Sequence, residues 1–198
     1  MNELLYTIDK AYSFTYIIKK SKFICNLYKI NDNVTAEDKI KEIKVLYKDA
    51  RHNCYAYITK ENNYITKKCS DDGEPSQTAG IVILKVLEQN NLCNVLAVCT
   101  RYFGGIKLGR GGLVRAYSNT TTEAVNLIED KILIRTMTDF HIAVSYAQID
   151  EILTFMSDFE LVEKSFSNIG TFLYTVPLSE VDELQKKLIN ITKGKITF

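Results

Sequence analysis

The sequence predicts an α+β protein with two domains, residues 1–135 and 136–198. Its 198 residues, 46% of them hydrophobic, suit one medium-sized domain or two small ones. From residue 136 onward the hydrophobic pattern predicts the order β-α-β-β-α-β, which is the split βαβ arrangement of ferredoxin-like domains. The charge changes sign at the same place. Residues 1–135 carry 20 Lys and Arg against 15 Asp and Glu, whereas residues 136–198 carry 5 against 9.

The first domain is predicted to combine strands with amphipathic helices. Residues 12–30 alternate loosely and are rich in Tyr, Phe and Ile, as in a strand or hairpin. A capping box at Thr35–Asp38 predicts one helix start, and Thr78 predicts the start of another helix that runs to residue 89. The apolar run 94–102 is typical of a central strand. The remaining predicted elements are strands at 54–59, 64–69 and 131–135, a turn at 61–63, and a helix from Leu113 that buries Leu127 and exposes Arg115.

The second domain is predicted to contain four strands and two helices. The strands are expected near 138–145, 160–166, 170–177 and 194–198, and the helices near 146–156 and 180–191. A second capping box, Ser179–Asp182, predicts the start of the last helix. His141 falls in the first of these strands and is expected to be a partly buried structural residue.

Several classes of protein are disfavoured by composition. The five cysteines are odd in number and lack CxxC spacing, which favours reduced thiols over disulfides or a zinc site. The apolar runs are too short to span a bilayer, and the first residues do not resemble a signal peptide. We therefore expect a cytoplasmic protein with no membrane partner, no metal and no cofactor.

A glycine-rich stretch, TRYFGGIKLGRGGLVRAY at residues 100–117, joins a predicted strand to a predicted helix. We call it the basic loop. It holds five of the nine glycines, and no acidic residue occurs between Glu88 and Glu123. A nucleotide phosphate loop is disfavoured, because Arg110-Gly111 replaces the Lys-Ser/Thr of the Walker pattern.

The basic loop instead suits a larger anion such as RNA. Guanidinium groups bind phosphates, and aromatic rings stack on bases. The predicted contacts are phosphate binding by Arg101, Lys107, Arg110 and Arg115, close backbone approach at Gly104 and Gly105, and stacking by Tyr102 or Phe103. The competing interpretation is that the glycines serve only a positive φ or close packing.

A second loop, SDDGEPSQTAG at residues 70–80, is called the acidic loop. Its carboxylates and a nearby imidazole form a possible second site for a metal or for acid/base chemistry, comprising His52, Asp71, Asp72 and Glu74. The alternatives are a solvated turn or ion pairing with Arg101 or Arg110. His52 and Cys54 also share one face of a strand, but a Cys/His nucleophile is disfavoured because such spacing is common and cysteine is usually buried.

Three motifs together resemble the IMPACT family, which includes bacterial YigZ-type members. They are RHNCYAY at 51–57, the acidic loop and the basic loop, in the order and spacing of that family. Two departures are Gln77, where glycine is common, and Arg110, where a small residue is usual. The resemblance implies an N-terminal α/β sandwich like domain 2 of ribosomal protein S5, followed by a ferredoxin-like domain.

The functional implications of the resemblance concern translation. The same pair of folds occurs in elongation factor G, which contacts the ribosome, and eukaryotic relatives regulate translation. We therefore expect a translation-linked protein that binds RNA, the ribosome or another ribonucleoprotein through the basic loop. The alternatives are an enzyme that uses the acidic loop on a small anionic substrate and a protein–protein module that acts with a partner in translation control. The sequence assigns no catalytic residue and leaves open whether the protein is an enzyme.

Overall fold

The computed structural model describes residues 4–61 and 64–198. The predicted turn at 61–63 lies mostly outside the described residues. The chain divides after Ile134 into two compact units, the second of which is Arg135–Phe198. None of the described helices is long and apolar enough to cross a lipid bilayer.

The first unit is built around a five-stranded antiparallel sheet. In chain order its elements are β1 (Tyr6–Ile8), β2 (Tyr12–Ile18), β3 (Ser21–Lys29), α1 (Asn33–Leu46), β4 (His52–Glu61), β5 (Tyr64–Ser70), α2 (Gly80–Gln89), β6 (Val95–Tyr102), α3 (Gly109–Asn126) and β7 (Lys131–Leu133). The sheet has the order β2-β3-β6-β4-β5, and β1 pairs separately with β7. The α+β class predicted from the sequence is confirmed.

The sheet lies between two helical layers. Ala97 and Cys99 of β6 belong to the core that includes residues of α2 and α3, whereas Leu96 and Val98 pack in the core that includes α1. Because alternate strand residues face opposite sides, β6 is covered on both faces, as its continuous apolar run predicts. Its neighbour β4 runs antiparallel to it and places His52 beside Arg101.

All three helix starts in this unit differ from the prediction, and α2 begins at Gly80 rather than at Thr78. Asp32, not Thr35, is the cap of α1: its carboxylate accepts from the Thr35 backbone N–H at 2.7 Å, and Thr35 Oγ1 accepts from the Asp32 N–H at 3.1 Å. The predicted Thr35–Asp38 capping box is therefore wrong, because the observed box lies three residues earlier, at Asp32 and Thr35. Helix α3 begins at Gly109 rather than Leu113, which brings the end of the basic loop into the helix. Leu127, predicted to be buried, is 45% exposed.

The second unit has the predicted ferredoxin-like order. Its elements are β8 (Met137–Val144), α4 (Ile149–Phe155), β9 (Glu160–Phe166), β10 (Gly170–Pro177), α5 (Val181–Thr192) and β11 (Ile196–Thr197). The sheet order is β11-β8-β10-β9, and all its pairs are antiparallel. The Ser179–Asp182 capping box is wrong, since no described side chain caps the start of α5. His141 is exposed rather than partly buried.

Candidate functional site

The acidic and basic loops meet through a buried ion pair. Arg101, near the end of β6, places Nη1 2.6 Å from Glu74 Oε1, and their side chains are only 8% and 3% exposed. The Arg101 guanidinium lies against two aromatic rings, with Cζ 5.4 Å from the ring centre of Phe23 and 5.6 Å from that of Phe103. The charge of Arg101 is therefore neutralised inside the protein rather than offered to solvent.

Glu74 also accepts a hydrogen bond from a residue of the hydrophobic core between the sheet and helices α2 and α3. Tyr117 of α3 donates from its hydroxyl to Glu74 Oε1 at 2.9 Å, and the Cys54 thiol lies 3.3 Å from the same hydroxyl. Cys54 also donates to the carbonyl oxygen of Asp71 at 2.9 Å. Burial raises the pKa of Cys54, and of Tyr117, above the ordinary value, so both groups keep their protons. The Cys54 thiol is thus a structural donor, not a nucleophile.

Asp71 holds the acidic loop onto the start of α2. Its carboxylate accepts from the backbone N–H groups of Gln77 at 2.7 Å, Ala79 at 2.9 Å and Gly80 at 2.8 Å. Burial by itself would raise the pKa of Asp71, but these hydrogen bonds outweigh it, and the pKa lies below its ordinary value. Asp71, near the start of the acidic loop, therefore caps α2, which begins where that loop ends.

Asp72 makes a different set of contacts. Its Oδ1 lies 2.6 Å from Lys44 Nζ, and its Oδ2 accepts from the Asn53 N–H at 2.7 Å. Its carbonyl oxygen lies 2.9 Å from Nδ1 of His52. The three carboxylates of the acidic loop thus serve separate partners, and the described residues contain no group of three His, Cys, Asp or Glu able to hold a metal ion. The three carboxylates therefore do not converge on one point, as the metal or acid/base hypothesis requires.

A cleft of about 380 Å³ lies where the two loops meet. Its lining combines charged and apolar side chains with the backbone at the start of α3, and comprises Arg51, His52, Glu74, Pro75, Arg101, Phe103, Lys107, Leu108, Gly109, Arg110 and Leu113. Arg110 donates to the carbonyl oxygen of Ser76 at 2.9 Å, which ties the helix start to the acidic loop. Within residues 4–61 and 64–198, no acidic side chain forms an ion pair with Arg51, Lys107 or Arg110.

The two predicted aromatic contacts fall on different faces. Phe103 is 45% exposed and lines the cleft. Tyr102 has the parity of Leu96 and Val98, so it faces the side covered by α1, and its hydroxyl donates to Asp49 at 3.0 Å. Only Phe103 is therefore placed to stack on a ligand in the cleft.

The family of the chain follows from its sequence matches. The Impact N-terminal domain family model matches residues 19–125. The chain belongs to the IMPACT family. "IMPACT family member YvyE" of Bacillus subtilis is 38% identical over 194 residues, which cover 96% of this chain and 88% of the relative. "IMPACT family member YigZ" of Escherichia coli is 29% identical over 182 residues, with 90% and 89% coverage. The resemblance drawn from the three motifs is confirmed.

A solved structure shares the whole architecture of this IMPACT family member. It is described as the crystal structure of a hypothetical protein, and it superposes with a TM-score of 0.70 at 26% identity. The superposition covers 100% of this chain and 97% of that one. The two-domain α+β fold therefore extends to a relative of substantially different sequence.

The IMPACT glycines of the basic loop have different structural roles. A Cβ on Gly104 would overlap the backbone of Lys20, so the β2–β3 turn requires a glycine there. Gly105 and Gly109 have positive φ, 87° and 73°, where a side chain is strained. Gly111 shows neither feature. Packing and conformation thus account for Gly104, Gly105 and Gly109 but not for Gly111.

Two parts of the basic surface were missed by the sequence analysis. Arg51 directly precedes His52 in the RHNCYAY motif, and its place in the cleft follows from the pairing of β4 with β6. Lys19 and Lys20 form the exposed two-residue turn between β2 and β3, packed against Gly104. The paired lysines between two β-like segments could have indicated a basic hairpin turn, but nothing local indicates where it packs. Arg115 is exposed on α3, as predicted.

Proposed function

We propose that this IMPACT family member is a translation-linked protein that binds RNA, free or within a ribonucleoprotein, through the cleft and the basic loop around it. One observation carries the proposal: Arg51, Lys107 and Arg110 surround the cleft without an acidic partner in the described parts of the chain. Unpaired cations around a concave site attract polyanions, and guanidinium groups bind phosphates in a bidentate manner.

Phe103 adds a second kind of contact beside these cations. It is exposed at the cleft, and a base stacked on an exposed ring gains about 1–3 kcal/mol whatever its identity. The Arg101 guanidinium packs against this ring, and because it is paired with Glu74 it has no free charge with which to bind a phosphate. The proposed contacts are therefore Arg51, Lys107 and Arg110 to phosphates and Phe103 to a base, with Arg115, Lys19 and Lys20 extending the basic surface.

The link to translation rests on family membership, because eukaryotic relatives regulate translation. The enzyme alternative is weaker, since Asp71, Asp72 and Glu74 each serve a structural partner. The competing function is a protein–protein module, which predicts that substitution of the cleft cations leaves the affinity for RNA unchanged.

The test is a salt titration of RNA binding, read by fluorescence anisotropy of a labelled single-stranded oligoribonucleotide. We compare the wild type with the double variant Arg51→Gln/Lys107→Gln, whose wild-type side chains make no hydrogen bond or ion pair to any described residue. The matched control is Lys186→Gln/Lys195→Gln, which removes two exposed charges from the second unit.

We expect the logarithm of affinity to fall with the logarithm of salt concentration, with a slope of about −0.7 for each phosphate contacted. The double variant should bind at least about tenfold more weakly, and its slope should be shallower by about 1.4. The control should match the wild type. Equal affinity and slope for the double variant and the wild type would overturn the proposal, as would wild-type binding that ignores salt.

A further inference from the structure

Glu74 has one carboxylate oxygen that the protein leaves without a donor. Its side chain is only 3% exposed, and both hydrogen bonds that it accepts from described residues go to Oε1. Within residues 4–61 and 64–198, the side-chain polar atoms that are both sealed from solvent and unpartnered are Asn26 Nδ2 and Arg101 Nε. Glu74 Oε2 is not one of these sealed atoms. This oxygen is therefore accessible from the cleft, which Glu74 lines.

The two donors on Oε1 hold the Glu74 carboxylate in a fixed orientation. Arg101 Nη1 lies 2.6 Å from Oε1 and the Tyr117 hydroxyl lies 2.9 Å from it. Tyr117 is completely buried, so its hydroxyl has little freedom to move. A carboxylate that is almost withdrawn from water has lost most of its hydration, and an oxygen without a donor retains that cost. Oε2 is thus a pre-oriented acceptor that favours a ligand with a hydrogen-bond donor.

His52 contributes a second acceptor to the same lining. Its Nδ1 lies 2.9 Å from the carbonyl oxygen of Asp72, and because a carbonyl oxygen only accepts, Nδ1 carries the proton. In the neutral imidazole the other nitrogen, Nε2, is then an acceptor, and none of the described residues donates to it. His52 lines the cleft together with Glu74. The two residues therefore favour the same kind of ligand, one that donates hydrogen bonds.

The apolar part of the lining favours a flat ring. Four apolar side chains line the cleft, namely those of Pro75, Phe103, Leu108 and Leu113. The cleft volume of about 380 Å³ lies within the range of ligand pockets, roughly 300–1,000 Å³. In such pockets apolar walls supply most of the contact, and a few polar groups fix orientation and specificity. A nucleobase with a donor on its edge matches both features.

We infer that Glu74 is a specificity-determining residue that accepts a hydrogen bond from the exocyclic amino group of one unpaired base in the cleft. The inference rests on the proposed function, since it uses the same cleft, and it narrows the ligand to single-stranded RNA with an amino base at this position. Adenine, cytosine and guanine carry such a group, whereas uracil presents a carbonyl oxygen where cytosine presents its amino group. That oxygen and the carboxylate repel each other. Because Arg101 neutralises Glu74, the carboxylate does not repel the phosphates of the same RNA.

The first experiment compares a six-residue oligocytidylate with the matching oligouridylate at neutral pH and one salt concentration. The two RNAs have the same charge and the same ring size, so phosphate contacts and stacking contribute nearly equally to both. Fluorescence anisotropy measures their affinities for the wild type. We expect the oligocytidylate to bind at least about tenfold more tightly, because a hydrogen bond to a charged group is one of the stronger kind. Equal affinities would overturn the inference.

The variant Glu74→Gln tests whether the carboxylate sets this preference. Arg101 and Tyr117 hold the amide oxygen, so the amide NH₂ replaces Oε2 and donates instead of accepting. The ratio of the two affinities should therefore fall to about one or below. The matched control is Glu88→Gln, which removes a carboxylate paired with Lys67 outside the cleft and should keep the wild-type ratio.

Circular dichroism shows whether Glu74→Gln is folded, and an unchanged ratio in the folded variant would overturn the inference. If the single variant does not fold, the double variant Glu74→Gln/Arg101→Met takes its place, because it leaves neither charge of the pair behind. The same loss of preference is expected for it. The comparison of the two RNAs on the wild type requires neither variant.

Two outcomes separate this inference from the proposed function. If the wild type binds both RNAs equally and Arg51→Gln/Lys107→Gln weakens both, the proposed function stands and the base preference is overturned. If neither RNA binds, calorimetric titration with the nucleosides decides. Binding of cytidine but not uridine to the wild type, and of neither to Glu74→Gln, would then support the base site and contradict the RNA function.

Discussion

Glu74 Oε1 lies 2.6 Å from Arg101 Nη1, and the two side chains are almost completely withdrawn from water. This ion pair joins the acidic loop to the end of β6. Of the alternatives that the sequence left open for the acidic loop, the structure has ion pairing with Arg101. Glu74 and Arg101 therefore line the cleft as a neutralised pair and not as two free charges.

The first prediction concerns this pair. Arg101→Met leaves a buried carboxylate without its partner and should lower the free energy of unfolding of the first unit by about 3–5 kcal/mol. The double variant Glu74→Gln/Arg101→Met should cost much less than the sum of the two single changes. Urea unfolding followed by circular dichroism measures all four proteins. If the losses of unfolding free energy in the two single variants add up to the loss in the double variant, the two side chains do not interact energetically.

The second prediction separates two glycines of one loop. Gly104→Ala places a methyl group into the backbone of Lys20, and such overpacking should destabilise the first unit by about 1–3 kcal/mol. The thermal unfolding curve is the measurement, with Gly111→Ala as the matched glycine substitution expected to shift it in the opposite direction. Equal shifts would mean that the β2–β3 turn moves aside without cost.

The third prediction follows from the backbone at Gln77. Its φ is 64°, in the left-handed region that costs a non-glycine residue about 1–2 kcal/mol. Gln77→Gly should therefore be neutral or stabilising by up to about 1 kcal/mol, whereas the β-branched Gln77→Val should be destabilising. Chemical denaturation of both variants measures the order, and a less stable Gly variant would contradict it.

The fourth prediction is a pH dependence caused by Asp71. Because its pKa is lowered in the folded protein, its stabilising contribution is complete above the unfolded carboxyl value of about 3.9. That contribution is lost as the pH falls through the folded-state value. Asp71→Asn should cost about 1–2 kcal/mol near neutral pH, and the gap to the wild type should narrow below about pH 4. Unfolding free energies from pH 3 to 7 test this, with the exposed Asp158→Asn as the control; a gap independent of pH would refute it.

The fifth prediction concerns thiol reactivity. Cys54 is buried, its pKa is raised mainly by burial, and its thiol donates to the carbonyl oxygen of Asp71 and lies 3.3 Å from the Tyr117 hydroxyl. Cys69 is partly exposed. Native protein treated with an aromatic disulfide reagent at pH 8 should therefore react first at Cys69, and at Cys54 only on unfolding. Mass spectrometry of the labelled peptides gives the order. Rapid labelling of native Cys54 would reopen the nucleophile hypothesis.

Local patterns predicted much of the fold. The central strand β6 and the ferredoxin-like order of the second unit follow from hydrophobic periodicity, which depends only on neighbouring residues. Helix boundaries were less accurate, because competing caps lie within a few residues of one another. Asp32 takes the role predicted for Thr35, and the glycines before Leu113 concealed the first turn of α3.

The sequence by itself determined the fold class, the family and the residue types of the basic loop. Only the tertiary structure decided which of those charges are free. Arg101 and Glu74 are separated by 27 positions along the chain, and the fold brings them together. The same β4–β6 register places Arg51 beside the cleft. Sheet register depends on the packing of the whole domain, so the local sequence could not distinguish Arg101 from Arg110. In the structure Arg101 is buried and paired with Glu74, whereas Arg110 lines the cleft without an ion pair to any described residue.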